Sequence, residues 1–196
     1  MPSPIAHSIT GYAIAKIFSS QTACFKPVRM VVFLGAIFIA NVADIDFTFQ
    51  FLTHASLHRG PTHSIAALIV VALLLGWLSA ALKRSLIIPT LGLAGCIYGS
   101  HLVLDFFTAG GSGLQLFWPI SDGFWRSPLP LFPAVHHSRG LFDVSHLFFI
   151  AYELSYASIV FKAMQSFESK HRNPKLDANS RYDSSVNHGS SDLKCE

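Results

Sequence analysis

The strongest constraint on this fold is residues 65–82, a run of eighteen amino acids without a charged side chain. A helix needs about 20 mostly apolar residues, at 1.5 Å each, to cross the hydrocarbon core of a bilayer. Four other stretches approach this length: 4–19, 30–43 extended toward Phe51, 86–107 and 146–164. The sequence therefore predicts an all-α, polytopic membrane bundle of four to five hydrophobic helices.

The composition excludes several other classes of protein. Hydrophobic residues make up 51% of the chain and charged residues 13%, whereas soluble domains average about 25% charged. The lipid bilayer is therefore the predicted surroundings. The net charge of +3 comes without a basic and aromatic stripe, so we expect no nucleic acid partner. Three widely spaced cysteines without a CxxC pair predict neither a thiolate zinc site nor a disulfide framework.

The basic residues predict the orientation of the bundle. Threading the five helices in alternation collects all but three of the fourteen basic residues on one side, the exceptions being Arg59, Arg126 and Arg139. The positive-inside rule makes that side cytoplasmic and predicts a multi-pass protein of the plasma (inner) membrane. Residues 1–165 are the predicted membrane domain, and the polar residues 166–196 are a predicted disordered tail.

Histidines and acids gather on the other side, where His101 and Asp105 provide one clear pair. Ionisable groups inside membrane helices are costly and mark functional sites by default. Residues four apart on a helix share a face, so this pair can bind a single cation. A helix-end ion pair is the alternative.

Two further segments carry candidate ligands. Asp44 and Asp46 end the second helix, and two carboxylates this close repel unless a metal or Arg59 lies between them. A polar helix terminus is the alternative. In the segment HRGPTHS, His58 and His63 flank a Gly-Pro turn before the apolar run. Thr62 is the predicted cap of the next helix, which leaves His63 facing the site.

The remaining candidates lie before and after these segments in the chain. His7 begins the first helix on the same side, as a ligand or as a lone surface histidine. His146 and Glu153, seven residues apart, can form a second metal position; whether they join the site, together with His136 and His137, is left open. Ligands of histidine and aspartate without cysteine favour Zn²⁺, with Mn²⁺ or Fe²⁺ as alternatives.

These motifs together resemble the YdjM-type family of membrane-bound metal-dependent hydrolases. The resemblance covers roughly residues 5–125 and rests on His7, the Asp-Ile-Asp of residues 44–46, HRGPTHS, the His101 and Asp105 pair, and Leu-Phe-Trp-Pro at 116–119. The sequence NVADID departs from the family's LPDID form but keeps both aspartates. More distantly, the family resembles zinc-dependent phospholipases C and related nucleases, which implies phosphoester hydrolysis.

The sequence thus predicts an integral-membrane metal-dependent hydrolase that acts on an ester or phosphoester at the outer membrane face. The substrate is a small molecule or a lipid. A non-catalytic protein with a structural metal and a cation transporter are the alternatives. The predicted metal ligands are His7, Asp46, His63, His101 and Asp105. The predicted catalytic residues are Asp44, His58 and Arg59, with Arg59 as the phosphate clamp.

Overall fold

The structure is a computed structural model that describes residues 4–22, 25, 28–46, 59–133 and 144–171. It contains five α-helices: α1 (Pro4–Gln21), α2 (Arg29–Asn41), α3 (Ile65–Ser79), α4 (Ile87–Phe106) and α5 (Val144–His171). Short 3-10 helices cover Val42–Asp44, Pro61–His63 and Arg84–Leu86. Extended backbone pairing in these residues is limited to two isolated β-bridges. The predicted all-α fold is confirmed.

The predicted four to five membrane spans are not confirmed. Within the described residues, only Arg84–Phe106 and Leu147–Lys170 are both long and apolar enough to cross a bilayer. Helix α3 is apolar but has only 15 residues. Helix α2 ends at Asn41, where the backbone tightens into a 3-10 turn. The last part of its predicted extension toward Phe51, residues 47–51, lies outside the described part of the chain.

Helix α4 lies at the centre of the bundle and packs against α1, α2 and α3. Helix α1 also packs against α2 and α5. Small residues allow the closest approach: a Cβ at Gly11 of α1 would lie 2.8 Å from the Cβ of Ala40 in α2. Bulky apolar side chains such as Val70, Trp77 and Phe148 point away from the core and are exposed, as expected of lipid-facing helices.

The helices alternate in direction, so the bundle has two chemically different ends. The starts of α1 and α3 and the ends of α2 and α4 bear the candidate ligands, and we call this the site end. The start of α2 and the α3–α4 turn carry Arg29, Lys83 and Arg84, and we call this the basic end. Lys16 of α1 lies 3.2 Å from Glu168 of α5, so these two helices run in parallel.

Two boundaries differ in detail from the prediction. Ser64, and not Thr62, caps α3, because its hydroxyl accepts a hydrogen bond from the backbone N–H of Ala67 at 3.1 Å. Thr62 lies two residues too early, and its hydroxyl contacts Asp46 and His63 in the site instead. Helix α5 continues to His171, six residues into the segment predicted as tail; residues 172–196 are outside the described part.

The loop between α4 and α5 covers the site end. The backbone N–H of Ile65 donates to the carbonyl of Leu116 at 3.0 Å, and that of Gln115 donates to the carbonyl of Arg59 at 3.1 Å. Gly110, Gly111 and Gly113 have positive φ, a conformation that favours glycine. The resulting turn brings the loop against Arg59.

Candidate metal centre

Four side chains from three parts of the chain converge at the site end. Asp44, His63, His101 and Asp105 each offer one ligand atom, and these atoms all lie within 4.8 Å of one another. Both histidines and Asp105 are almost completely buried, while the Asp44 side chain is 18% exposed. The ends of α2 and α4 and the turn before α3 thus meet in one acidic and imidazole-lined cluster.

The fold fixes the orientation of the His101 ring. Its Nδ1 lies 2.7 Å from the backbone carbonyl of Ala40 in α2. A carbonyl oxygen only accepts, so Nδ1 carries the hydrogen. The lone pair is then on Nε2, which lies 3.7 Å from Asp44 Oδ1 and 3.9 Å from Asp105 Oδ2. A metal-binding histidine is typically oriented through its second nitrogen in this way.

Asp46 orients His63 in a similar manner. Asp46 Oδ2 lies 3.2 Å from His63 Nδ1 and accepts hydrogen bonds from the backbone N–H of Arg59 at 3.0 Å and from the Thr62 hydroxyl at 2.7 Å. The opposite nitrogen, Nε2, lies 3.4 Å from both Asp44 Oδ1 and Asp105 Oδ2. Asp46 therefore contacts the ring nitrogen of His63 that faces away from the cluster, and Asp44 contacts the one that faces the cluster.

The electrostatics of the cluster favour a positive charge at its centre. Burial alone lowers the pKa of His63, but the carboxylates of Asp105, Asp44 and Asp46, each 3.2–3.4 Å from a ring nitrogen, outweigh it and raise the pKa to about 11. Without a metal, His63 is therefore protonated at neutral pH and partly neutralises three carboxylates. A divalent cation can supply that charge more completely.

The residues fit a small divalent ion. Both carboxylate oxygens of Asp105, Asp44 Oδ1 and both ring nitrogens of His7 are buried without a hydrogen-bond partner, although buried polar atoms are normally satisfied. Ligands about 2.05 Å from a tetrahedral Zn²⁺ lie about 3.3 Å from one another. The ligand separations of His63 are close to this value: 3.4 Å to each of Asp44 and Asp105, and 3.2 Å from its Nε2 to that of His101.

Two further side chains border the cluster. The His7 ring stacks on His101 with centroids 3.9 Å apart, and its Nε2 lies 3.5 Å from Asp105 Oδ1. Arg59 is buried, its Nε lies 3.9 Å from Asp105 Oδ2, and its Nη1 donates to the carbonyl of Gly110 at 3.3 Å. Asp105 is thus flanked by His7 and Arg59 while it faces the two histidines of the centre.

The structure brings seven of the eight predicted site residues together: His7, Asp44, Asp46, Arg59, His63, His101 and Asp105. The positions of Asp44 and Asp46 favour exchanging their predicted roles, because Asp44 reaches the centre and Asp46 supports His63. Their roles stay predictions. His58, His136, His137 and the side chain of His146 lie outside the described residues. Glu153 is buried in α5 and does not belong to the group of four.

Sequence reasoning missed two contributors to the site. The Ala40 carbonyl carries no sequence signal, because any residue has one. The hydroxyl of Thr62 was assigned to helix capping, although its place next to His63 was a usable signal. The Tyr98 hydroxyl also donates to the Thr62 carbonyl, which ties the His63 turn to α4.

A helical fold with two candidate spans and a buried group of histidines and aspartates at one end defines a small membrane protein with a candidate metal centre. The chain belongs to the YdjM inner membrane protein family, which matches residues 1–168. It is similar to Inner membrane protein YbcI of Escherichia coli (strain K12), with 34% identity over 137 residues, or 65% of this chain and 73% of that protein. No solved structure matches the chain.

This membership confirms the family resemblance and supports the inner membrane as the location. The family match also extends beyond residue 125, where the recognised motifs end, and includes most of α5. Helix α5 is therefore part of the family's fold.

Proposed function

We propose that the chain binds a divalent metal through Asp44, His63, His101 and Asp105 and hydrolyses an ester or phosphoester there. The observation that carries the proposal is the convergence of four ligand atoms within 4.8 Å, three of their residues being buried. Two carboxylates and two imidazoles favour Zn²⁺, with Mn²⁺ and Fe²⁺ as the other candidates. A bound ion of this kind polarises a phosphoryl oxygen and lowers the pKa of water to about 7.

Residues around the centre would orient the two imidazoles and supply charged groups to the site. The Ala40 carbonyl and Asp46 hold the two imidazoles with their Nε2 atoms toward the centre. Asp44 is the most exposed of the four and is therefore the group best placed to accept a proton from solvent or substrate. Arg59 adds a fixed positive charge beside Asp105, where it can attract the phosphate of a substrate.

A structural metal is the second candidate function. The near-complete burial of His63, His101 and Asp105 favours it, because a structural site is closed whereas a catalytic site keeps one open position. The cluster also joins the ends of α2 and α4 to the turn before α3. A cation transporter is less well supported, because such sites lie near the bilayer midplane and this cluster lies at helix ends.

A hydrolysis assay distinguishes the two candidates. The metal-loaded protein is tested on bis-p-nitrophenyl phosphate and p-nitrophenyl acetate, before and after chelation. We expect hydrolysis that chelation abolishes and that Arg59→Lys reduces by about tenfold or more on the phosphodiester, because lysine lacks the bidentate geometry of arginine. Protein that is folded and metal-loaded but inactive on a wider ester panel would favour the structural role.

A further inference from the structure

An apolar groove runs along the bundle between α2 and α3, with α4 as its floor. Helices α2 and α3 do not pack closely against each other, although both pack on α4. The space between them has a volume of about 270 Å³ and is lined by residues such as Val32, Gly35, Leu75, Leu93 and Ile97. A Cβ at Gly35 would meet no atom within 4 Å, so the lining leaves room for a ligand.

The lining accepts only an apolar occupant. Ser79 and Thr90 are its only residues with polar side-chain atoms, and the Ser79 hydroxyl already donates to the carbonyl of Gly76 at 2.6 Å. Val31 and Leu82, at the rim, are about two-thirds exposed or more. The groove therefore opens sideways onto the lipid-facing surface, where water is scarce and hydrocarbon is abundant.

The length of the groove matches one lipid leaflet. Its floor extends along α4 from Leu86 to Ile97, a distance of about 16 Å at 1.5 Å per residue. Half of the hydrocarbon core is about 15 Å thick. A membrane helix of a partner would need the full thickness, whereas an acyl chain of one leaflet fits this length. The groove ends one turn before His101, so its occupant does not reach the metal centre.

Basic residues stand at the open end of the groove. Val28 and Leu82 line it there, and the chain continues from them into Arg29 and into Lys83 and Arg84. The sequence has no acid before Asp44 and none between residues 47 and 104. Glu168, at the same end of the bundle, is already paired with Lys16. The charge at the mouth of the groove is thus complementary to an anionic headgroup.

We propose that this groove binds one acyl chain of an anionic phospholipid whose phosphate lies against Arg29 and Arg84. The lipid is a bound partner of the basic end and not the substrate of the metal centre. The proposal is therefore independent of hydrolysis.

Native mass spectrometry of the full chain in detergent tests the proposal, with phosphatidylglycerol and phosphatidylcholine of identical acyl chains as probes. We expect wild-type protein to prefer phosphatidylglycerol. Each basic residue near a membrane surface contributes about a fivefold effect on affinity. The double variant Arg29→Gln/Arg84→Gln should therefore lower the preference by about twenty-five-fold.

Gly35→Leu tests the groove itself. Its side chain displaces about two methylene groups of the lipid, so affinity for both lipids should fall about tenfold. Leu34→Phe is the matched control, because it adds bulk on the same helix at an exposed position outside the groove. Circular dichroism verifies folding. If Gly35→Leu does not fold, the double arginine variant decides the question alone.

Three results would overturn the proposal. The first is equal wild-type affinity for the two lipids, or an Arg29→Gln/Arg84→Gln variant that keeps the wild-type preference. The second is folded Gly35→Leu protein with unchanged lipid binding. The third is a lipid-free dimer that Gly35→Leu dissociates, since a second copy of the chain would then occupy the groove.

Discussion

His63 has a carboxylate at each of its ring nitrogens, and the two carboxylates have different tasks. Asp46 accepts from the backbone of Arg59 and from Thr62 while it faces Nδ1. Asp44 faces Nε2 and His101, and it has a buried oxygen without a hydrogen-bond partner. Protein groups satisfy the first carboxylate, whereas the second keeps a buried oxygen that a cation can contact.

Asp46→Ala should therefore weaken metal binding without abolishing it. Loss of a residue that orients a metal ligand typically costs 10- to 100-fold in affinity, and we expect a reduction in that range. Chelator competition on purified protein measures it. Asp44→Ala should reduce affinity more strongly, and Asp122→Ala, an exposed loop change, should have no effect. A larger loss for Asp46→Ala than for Asp44→Ala would restore Asp46 as a direct ligand.

Metal affinity should also depend on pH through His63. Its pKa is raised to about 11, so a proton occupies the metal-free site at neutral pH and must leave when a metal binds. We expect affinity to rise about tenfold per pH unit between pH 7 and 9, one proton being released per metal. Calorimetry in buffers of different ionisation enthalpy counts the protons. A pH-independent affinity without proton release would contradict this account of His63.

The raised pKa also has a consequence for the metal-free protein. A folded-state pKa above the unfolded value of 6.5 stabilises the fold fully below pH 6.5, and this contribution is lost as pH rises toward 11. Metal-free protein should thus lose stability across this window, whereas a bound metal removes the proton and the dependence.

At the scale of helices, the contact of α1 with α2 supports the candidate metal centre. A Cβ at Gly11 would lie 2.8 Å from Ala40 Cβ and 3.0 Å from the Ala36 carbonyl. Ala40 is the residue whose carbonyl binds His101. Displacement of α2 at this point therefore alters the orientation of a proposed ligand.

Gly11→Ala should destabilise the protein by about 1–3 kcal/mol, as overpacking does, and should also lower metal affinity. Gly35→Ala is the matched control, because its Cβ meets open space and alanine favours helix by about 0.5–1 kcal/mol over glycine. Thermal unfolding in detergent compares the two variants. Equal melting temperatures for both would show that the α1–α2 contact is looser than described.

The positions of the helices could be predicted from the sequence, but their lengths could not. Residues 65–82 and 86–107 were predicted from apolar runs, and α3 and α4 lie within them. Helix α3 ends three residues early, because Ala80 begins a turn to the basic segment. The predicted four to five spans are not confirmed, and α2 ends at Asn41, where the 3-10 turn Val42–Asp44 brings Asp44 to the cluster.

At the scale of the whole molecule, the site was predictable because alternation of helices places the ends of α2 and α4 beside the starts of α1 and α3. The presence of His7, Asp44, His63, His101 and Asp105 at one end follows from that rule. Their division into direct and supporting groups does not, because it depends on side-chain directions such as that of His63 between two aspartates.

The predicted membrane orientation can be tested by cysteine labelling. Cysteines introduced at Ser112 and Ser190, in a background without Cys24, Cys96 and Cys195, should react with an impermeant reagent from opposite sides. The positive-inside rule places Ser190 in the cytoplasm and Ser112 outside. Labelling of intact and permeabilised cells distinguishes the two sides. Reaction of both cysteines from the same side would contradict the predicted topology.

The buried cluster is proposed to hold a divalent metal, and the metal content of Asp105→Asn protein is the sharpest test of this site. This change keeps the size of the side chain but removes a charge that lies beside His7, His63 and His101. Elemental analysis of purified protein should find about one divalent ion per wild-type chain, the same for Asp122→Asn, and a loss of about tenfold or more for Asp105→Asn. Wild-type metal content in folded, membrane-inserted Asp105→Asn protein would contradict the claim.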